Sequence, residues 1–195
     1  MYRKYLSFSA LALLLLAIPI VSQAVTCEGQ TATITGTSGA DTLNGTTGDD
    51  VIQALGGNDT IYGKGGDDTL CGYTGDDSID AGPGADTVRG ATGDDLIRGS
   101  AGNDTVIGDA DADEVVGDRD NDTVRGGAGD DNVFGGDDND YLTGEGGDDY
   151  LDGGGGTNTL DGGSGTDWCI NAATKSNCEL PANFPRPEPD FPEEV

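Results

Sequence analysis

The chain has 195 residues, with 35 Gly and 37 Asp+Glu against 9 Lys+Arg, a formal net charge of −28. Apolar residues make up 34%, against roughly 45–50% in ordinary globular domains, so a thick oily core is excluded as the main source of stability. So much negative charge excludes a nucleic-acid-binding surface, and with no His, His-ligated zinc chemistry and Ser–His–Asp catalysis both lack a part.

Residues 1–24 read as a secretory signal peptide. Arg3 and Lys4 give a positive start, Phe8 to Val21 is a mostly apolar run, and Ser22-Gln23-Ala24 offers small residues for cleavage. The alternative is a membrane anchor, which needs about 20 apolar residues to span a bilayer; this run is shorter and holds Pro19. The expectation is a secreted, extracellular chain with no membrane insertion in its mature form, starting near Val25, with its four Cys oxidised. Residues 25–35 read as an N-terminal cap, of which 27–35 look like a degenerate zeroth unit with Thr31–Thr35 as strand.

From Gly36 to Ile170 the sequence divides without insertion into fifteen nonapeptides, such as Gly63–Cys71 (GKGGDDTLC), Gly90–Arg98 (GATGDDLIR) and Gly144–Asp152 (GEGGDDYLD). Position 1 is Gly except at Ala54 and Ala81. Position 4 is Gly in twelve units. Position 6 is Asp except at Asn158, and position 8 is Leu, Ile or Val except at Cys169. Six residues rich in Gly and ending in Asp predict a turn. Positions 7–9, rich in Thr, Val, Ile, Leu and Tyr, predict a short strand. Strand side chains alternate, so position 8, the one reliably apolar site, faces inward. Two units then make one 18-residue coil with a strand on each side. The predicted fold is all-β: a parallel β-roll, or β-solenoid, of about 15 repeats around a thin aliphatic seam.

The pattern GGxGxDxUx, with U aliphatic, resembles the hemolysin-type or RTX repeat, and it covers residues 36–170. The resemblance implies a calcium-bound parallel β-roll. The spacing supports calcium independently. Position-6 carboxylates 18 residues apart, such as Asp50/Asp68 and Asp77/Asp95, stack at the strand separation of about 4.8 Å and repel unless a cation lies between them. Carboxylates and inward carbonyls in flexible geometry suit Ca²⁺ better than Mg²⁺.

The candidate ligands are Asp41, Asp50, Asp59, Asp68, Asp77, Asp86, Asp95, Asp104, Asp113, Asp122, Asp131, Asp140, Asp149 and Asp167, with the turn glycines Gly48, Gly57, Gly66, Gly75, Gly84, Gly93 and Gly102. The resemblance implies carbonyls of positions 2 and 4 with the carboxylate of one turn, and carbonyls of positions 1 and 3 with the carboxylate of the turn 18 residues later. One such set is Lys64, Gly66 and Asp68 with Ala81, Pro83 and Asp86. A second is Tyr73, Gly75 and Asp77 with Gly90, Thr92 and Asp95. A third is Ala91, Gly93 and Asp95 with Gly108, Ala110 and Asp113. Filling every gap would hold up to about 13 ions and nearly cancel the chain's self-repulsion. The repeats are therefore expected to be largely unfolded without calcium.

Some units depart from the pattern. Asp111, Asp120 and Asp138 replace Gly at position 4, and Asp tolerates left-handed backbone. Asn158 removes a carboxylate, so a weak or empty site is expected around Gly153–Asp161. The run Asp109-Ala-Asp111-Ala-Asp113 hints at an EF-hand loop, but Glu114 and Asp120 stand at its loop positions 6 and 12.

The four Cys allow three pairings; Cys27–Cys71 with Cys169–Cys178 is favoured, because it staples both open ends. Residues 171–180 read as a disulfide-linked C-terminal cap, and 181–195, with five Pro and four acids, as a flexible tail. Thr69, Thr87, Thr105 and Thr123 align as an outer ladder, either an ordered ligand face for ice or polysaccharide or simply good strand residues. Tyr150 and Trp168 stack on the other sheet, against sugar rings or under the cap. The functional expectation is a secreted calcium-binding protein, structural or adhesive at the cell surface or in the medium, with extracellular polysaccharide or another cell-surface component as partner. Alternatives are a polysaccharide- or ice-binding module, or an accessory module related to RTX enzymes and toxins. No catalytic residues are expected.

Overall fold

A computed structural model describes residues 26–179; the segment read as a signal peptide and the tail 181–195 lie outside the described residues. The elements are β1 (Thr26–Cys27), β2 (Gln30–Thr31), β3 (Ile34–Thr35), β4 (Thr42–Asn44), β5 (Val51–Gln53), β6 (Thr60–Tyr62), β7 (Thr69–Thr74), β8 (Ser78–Pro83), β9 (Thr87–Thr92) and β10 (Leu96–Ala101). They continue with β11 (Thr105–Ala110), β12 (Glu114–Arg119), β13 (Thr123–Ala128), β14 (Asn132–Gly136), β15 (Tyr141–Gly146), β16 (Tyr150–Asp152), β17 (Thr159–Ser164), β18 (Trp168–Ile170) and β19 (Thr174–Ser176). There is no helix among the described residues.

Even-numbered strands from β4 form an eight-stranded sheet, and odd-numbered strands from β3 a nine-stranded sheet. Each strand pairs in parallel with the strand two places on, 18 residues later: Ile79↔Ile97↔Val115 in one sheet, Val88↔Val106↔Val124 in the other. The chain is thus a parallel β-solenoid of about eight coils. Between the sheets lies one file of fully buried side chains, Ile52, Ile61, Leu70, Ile79 and their successors to Cys169. All come from position 8, as the alternation requires. Ile34 and Leu43 extend the file at the N-terminal end, partly buried.

The strands are longer than positions 7–9. From β7 to β13 they run on through positions 1–3, and only positions 4–6 turn. The ladder skips position 1: Arg98 pairs with Asp80 and Ser100 with Gly82, but Gly99 has no partner in register. Position 2 then takes a left-handed backbone, with φ of +82° at Lys64, +80° at Tyr73 and +94° at Ala91. This kink lets the strand bend into the corner while keeping its hydrogen bonds.

Both disulfides have the favoured pairing, Cys27–Cys71 and Cys169–Cys178. Beyond the last coil the register changes: Thr159 pairs with Thr174 and Leu160 with Lys175. A lysine takes the next place after the aliphatic file, and its Nζ donates to the Cys169 carbonyl at 2.6 Å. The seam ends there in a polar group.

The Thr column is in register across β7, β9, β11 and β13, and Tyr141 continues it. Tyr150 and Trp168 are paired neighbours. They belong to a second apolar cluster with Val116, Phe134 and Ile170 on the outside of the even sheet. Outer position-9 arginines reach diagonally to the next coil: Arg89 pairs with Asp109, Arg98 with Asp118 and Arg125 with Glu145.

Candidate metal centre

The position-6 aspartates stand at the two corners where the chain passes between sheets. From Asp50 onward all are buried, at 7% exposure or less. Each backbone amide donates to Oδ1 of the aspartate one coil later: Asp68 to Asp86 at 2.7 Å, Asp77 to Asp95 at 2.8 Å, Asp95 to Asp113 at 2.8 Å and Asp104 to Asp122 at 2.8 Å. The three turn pairs expected to face each other are therefore stacked. Oδ1 is thus committed throughout the ladder.

Oδ2 has no donor. It is buried without a hydrogen-bond partner in Asp59, Asp68, Asp77, Asp86, Asp95, Asp104, Asp113, Asp122, Asp131, Asp140, Asp149 and Asp167. Its surroundings are also oxygen. A Cβ built on Gly99 would lie 2.5 Å from Asp104 Oδ2 and 2.9 Å from the Gly117 carbonyl oxygen. The missing side chain at position 1 leaves a cradle into which a carboxylate and the next coil's carbonyl both face. Two acceptors facing each other in a buried space need a proton or a cation between them.

The acidities show the same conflict. Burial, opposed by the amide one coil earlier and reinforced by neighbouring carboxylates, pushes Asp113 and Asp122 up to about 8. Asp86, Asp95 and Asp149 are pushed to about 7. Burial likewise raises Asp77, Asp104, Asp131 and Asp140 to about 6. Asp59, Asp68 and Asp167 are raised by the same cause.

Not all candidate ligands are alike. Asp41 and Asp50 have their Oδ2 satisfied within their own turns. Thr46 donates to Asp50 Oδ2 from its amide at 2.6 Å and its hydroxyl at 2.9 Å, and Thr37 does the same for Asp41 at 2.6 and 2.8 Å. The Thr46 amide holds the Asp50 carboxyl below its ordinary range, against the effect of burial. Thr is β-branched and resists left-handed backbone, so position 2 of these two units lacks the kink. Gly48 correspondingly differs from Gly57, Gly66, Gly75, Gly84, Gly93 and Gly102, whose φ lies between +107° and +155°. Asp111, Asp120 and Asp138 adopt the same left-handed turn, at +73° to +78°. Ala54 and Ala81 each put a buried methyl at position 1, narrowing the cradles beside Asp59 and Asp86.

Among the described residues no three acidic or sulfur side chains converge on one point. Apart from the gap between Asp140 and Asn158, each gap instead offers two stacked carboxylates among backbone carbonyls, a hard all-oxygen donor set that fits Ca²⁺. Sequence reasoning missed the Thr caps, and it missed a second, exposed ladder at position 5. There Asp94 N donates to Asp76 Oδ1 and Asn121 N to Asn103 Oδ1, running opposite to the position-6 ladder. The recurrence of Asp or Asn at position 5 was the available signal.

The family model for RTX calcium-binding nonapeptide repeats, in four copies, matches residues 35–70, 72–97, 89–124, 107–142 and 134–169. No individual curated protein matches the chain. With more than half of the sequence matched and the nine-residue period present in the fold, the chain belongs to the RTX calcium-binding nonapeptide repeat family.

Proposed function

We propose that this is an exported calcium-binding β-roll whose repeats fold as ions enter the gaps between successive coils, and that it serves a structural or adhesive role at the cell surface or in the surrounding medium. The observation that carries this reading is the file of buried, donorless Oδ2 atoms. A buried polar atom without a partner costs about 1–3 kcal/mol, more when charged, and there is one in nearly every nonapeptide. In this reading the position-6 carboxylates and turn carbonyls hold calcium, which supplies the positive charge that the side chains lack. RTX repeat proteins are typically extracellular, and two disulfides suit an oxidising compartment. In this reading the buried carboxylates hold ions rather than take part in catalysis.

The test is calorimetric titration of the metal-stripped protein with Ca²⁺ and with Mg²⁺ near pH 7.5, alongside its hydrodynamic radius. Several calcium ions bound with compaction, and little response to magnesium, are expected. Absence of calcium uptake contradicts the reading.

A second reading rests on the in-register Thr column, which presents Thr69, Thr87, Thr105 and Thr123 at one strand spacing. As a face for polysaccharide or ice it would lose binding in a Thr87→Lys, Thr105→Lys variant on a glycan array or in an ice-recrystallisation assay. Arg89 and Arg125 flank the column and give it a charged border.

A further inference from the structure

Asn158 stands where every other unit has an aspartate, and it is fully buried. Its Oδ1 continues the ladder, accepting the Asp140 amide at 2.8 Å. Its Nδ2 occupies the space that Oδ2 fills elsewhere: a Cβ on Gly153 would lie 2.7 Å from it. As a donor it does what no carboxylate oxygen can. It donates to the Gly153 carbonyl at 2.5 Å and the Gly155 carbonyl at 2.6 Å, with a longer contact to the Asn171 carbonyl at 3.2 Å. These are positions 1 and 3 of its own turn and position 1 of the next coil. The amide orientation is fixed by its partners, because a flipped group would set NH₂ against the Asp140 N–H and oxygen against three carbonyls.

We infer that Asn158 is a built-in substitute for a bound cation: its side-chain NH₂ draws together the carbonyls of the Gly153–Asp161 turn, so this turn takes up no calcium and stays closed in the metal-free chain. The inference rests on the calcium reading of the other turns. The end of the roll is also tied by Cys169–Cys178 and by Lys175 on the Cys169 carbonyl. The N-terminal end is closed without metal by a different device, in which Thr46 donates to Asp50 Oδ2 and Lys64 Nζ donates to the Gly45 carbonyl at 2.8 Å. The ion-dependent coils lie between two ends that protein donors close.

The test counts bound calcium by native mass spectrometry in wild type, Asn158→Asp and Asn158→Ala, each folded in excess calcium. Asn158→Asp is expected to bind one more ion than wild type, and Asn158→Ala the same number. In chelator, the fluorescence of Trp168, the single Trp of the chain and ten residues from Asn158, is expected to keep its folded-state emission in wild type and to lose it in both variants. Should Asn158→Asp fail to fold, Asp149→Asn supplies the converse: it is expected to bind at least one ion fewer and to gain amide-exchange protection around Gly144–Asp152 in chelator. Equal calcium counts in wild type and Asn158→Asp overturn the inference. So does an Asp149→Asn protein with an unchanged count. If wild type itself binds no calcium, the broader reading has failed; if it binds several and the variants do not differ, only the role of Asn158 has.

Discussion

Acid should fold the metal-free protein. In the roll, burial raises nine carboxyls from the ordinary 3.8 to between about 6 and about 8. A carboxyl whose folded-state pKa is raised contributes stability that is complete below its unfolded value, and that is lost as pH rises through its folded value. The metal-free roll is therefore most stable at and below about pH 4 and loses stability progressively from there up to about pH 8, where the last of these groups ionises. Each proton held on folding steepens that loss by about 1.4 kcal/mol per pH unit. Counting only Asp113 and Asp122 gives about 3 kcal/mol per pH unit between pH 5 and pH 8; roughly half of that survives discounting for solvent screening. Over the interval the loss is about 4 kcal/mol, close to the lower end of the net stability of an ordinary domain, about 5–15 kcal/mol. The assay is far-UV circular dichroism with sedimentation velocity on resin-stripped protein between pH 5 and pH 8. Gain of β signal in a compact monomer at pH 5, absent at pH 8, is expected. Equal disorder at both pH values, or structure at pH 8 that acid removes, would refute the argument that proton and cation satisfy the same oxygens.

Cys27–Cys71 spans 44 residues, so replacing both Cys by Ser should cost up to about 4 kcal/mol by the chain-entropy estimate, read as a higher calcium concentration at the folding midpoint. Leu142→Ala opens a cavity in the fully buried file and should cost about 2–5 kcal/mol in calcium-saturated denaturation; Thr105→Ala, on the outer face, should cost less than about 0.5 kcal/mol. Gly102 takes φ of +130°, and a Cβ there would collide with the Gly84 carbonyl. Gly102→Val should therefore reduce the number of bound ions and lower the melting temperature in calcium, whereas a normal count would show that the turn tolerates a side chain.

The solenoid was legible because one aliphatic residue at position 8 repeats without a slip, and a period of two then dictates which way it faces. The file from Ile52 to Leu160 follows from that alone. Strand length was not legible: positions 1–3 look like turn because of their Gly, yet a left-handed residue at position 2 bends the strand without ending it. The stacking of the aspartates followed from the 18-residue coil, but their differences did not. That Asp50 is satisfied and Asp68 is not depends on Thr46 as against Lys64 at position 2, a matter of β-branching and backbone handedness outside the repeat consensus. At Asn158 the sequence showed a missing charge; only the geometry shows the donor that replaces it. Val116 and Phe134 were not legible as partners of Tyr150 because they stand at position 9, beside the position-7 column of Tyr150 and Trp168 rather than in it.

The most direct test of the central claim is a calcium titration of the chelator-stripped mature protein followed by far-UV circular dichroism at pH 7.5, with magnesium as control. A largely unordered spectrum that converts cooperatively to β structure with calcium, and not with magnesium, is the expected result. A compact, cooperatively melting fold at that pH with no divalent ion present would contradict it.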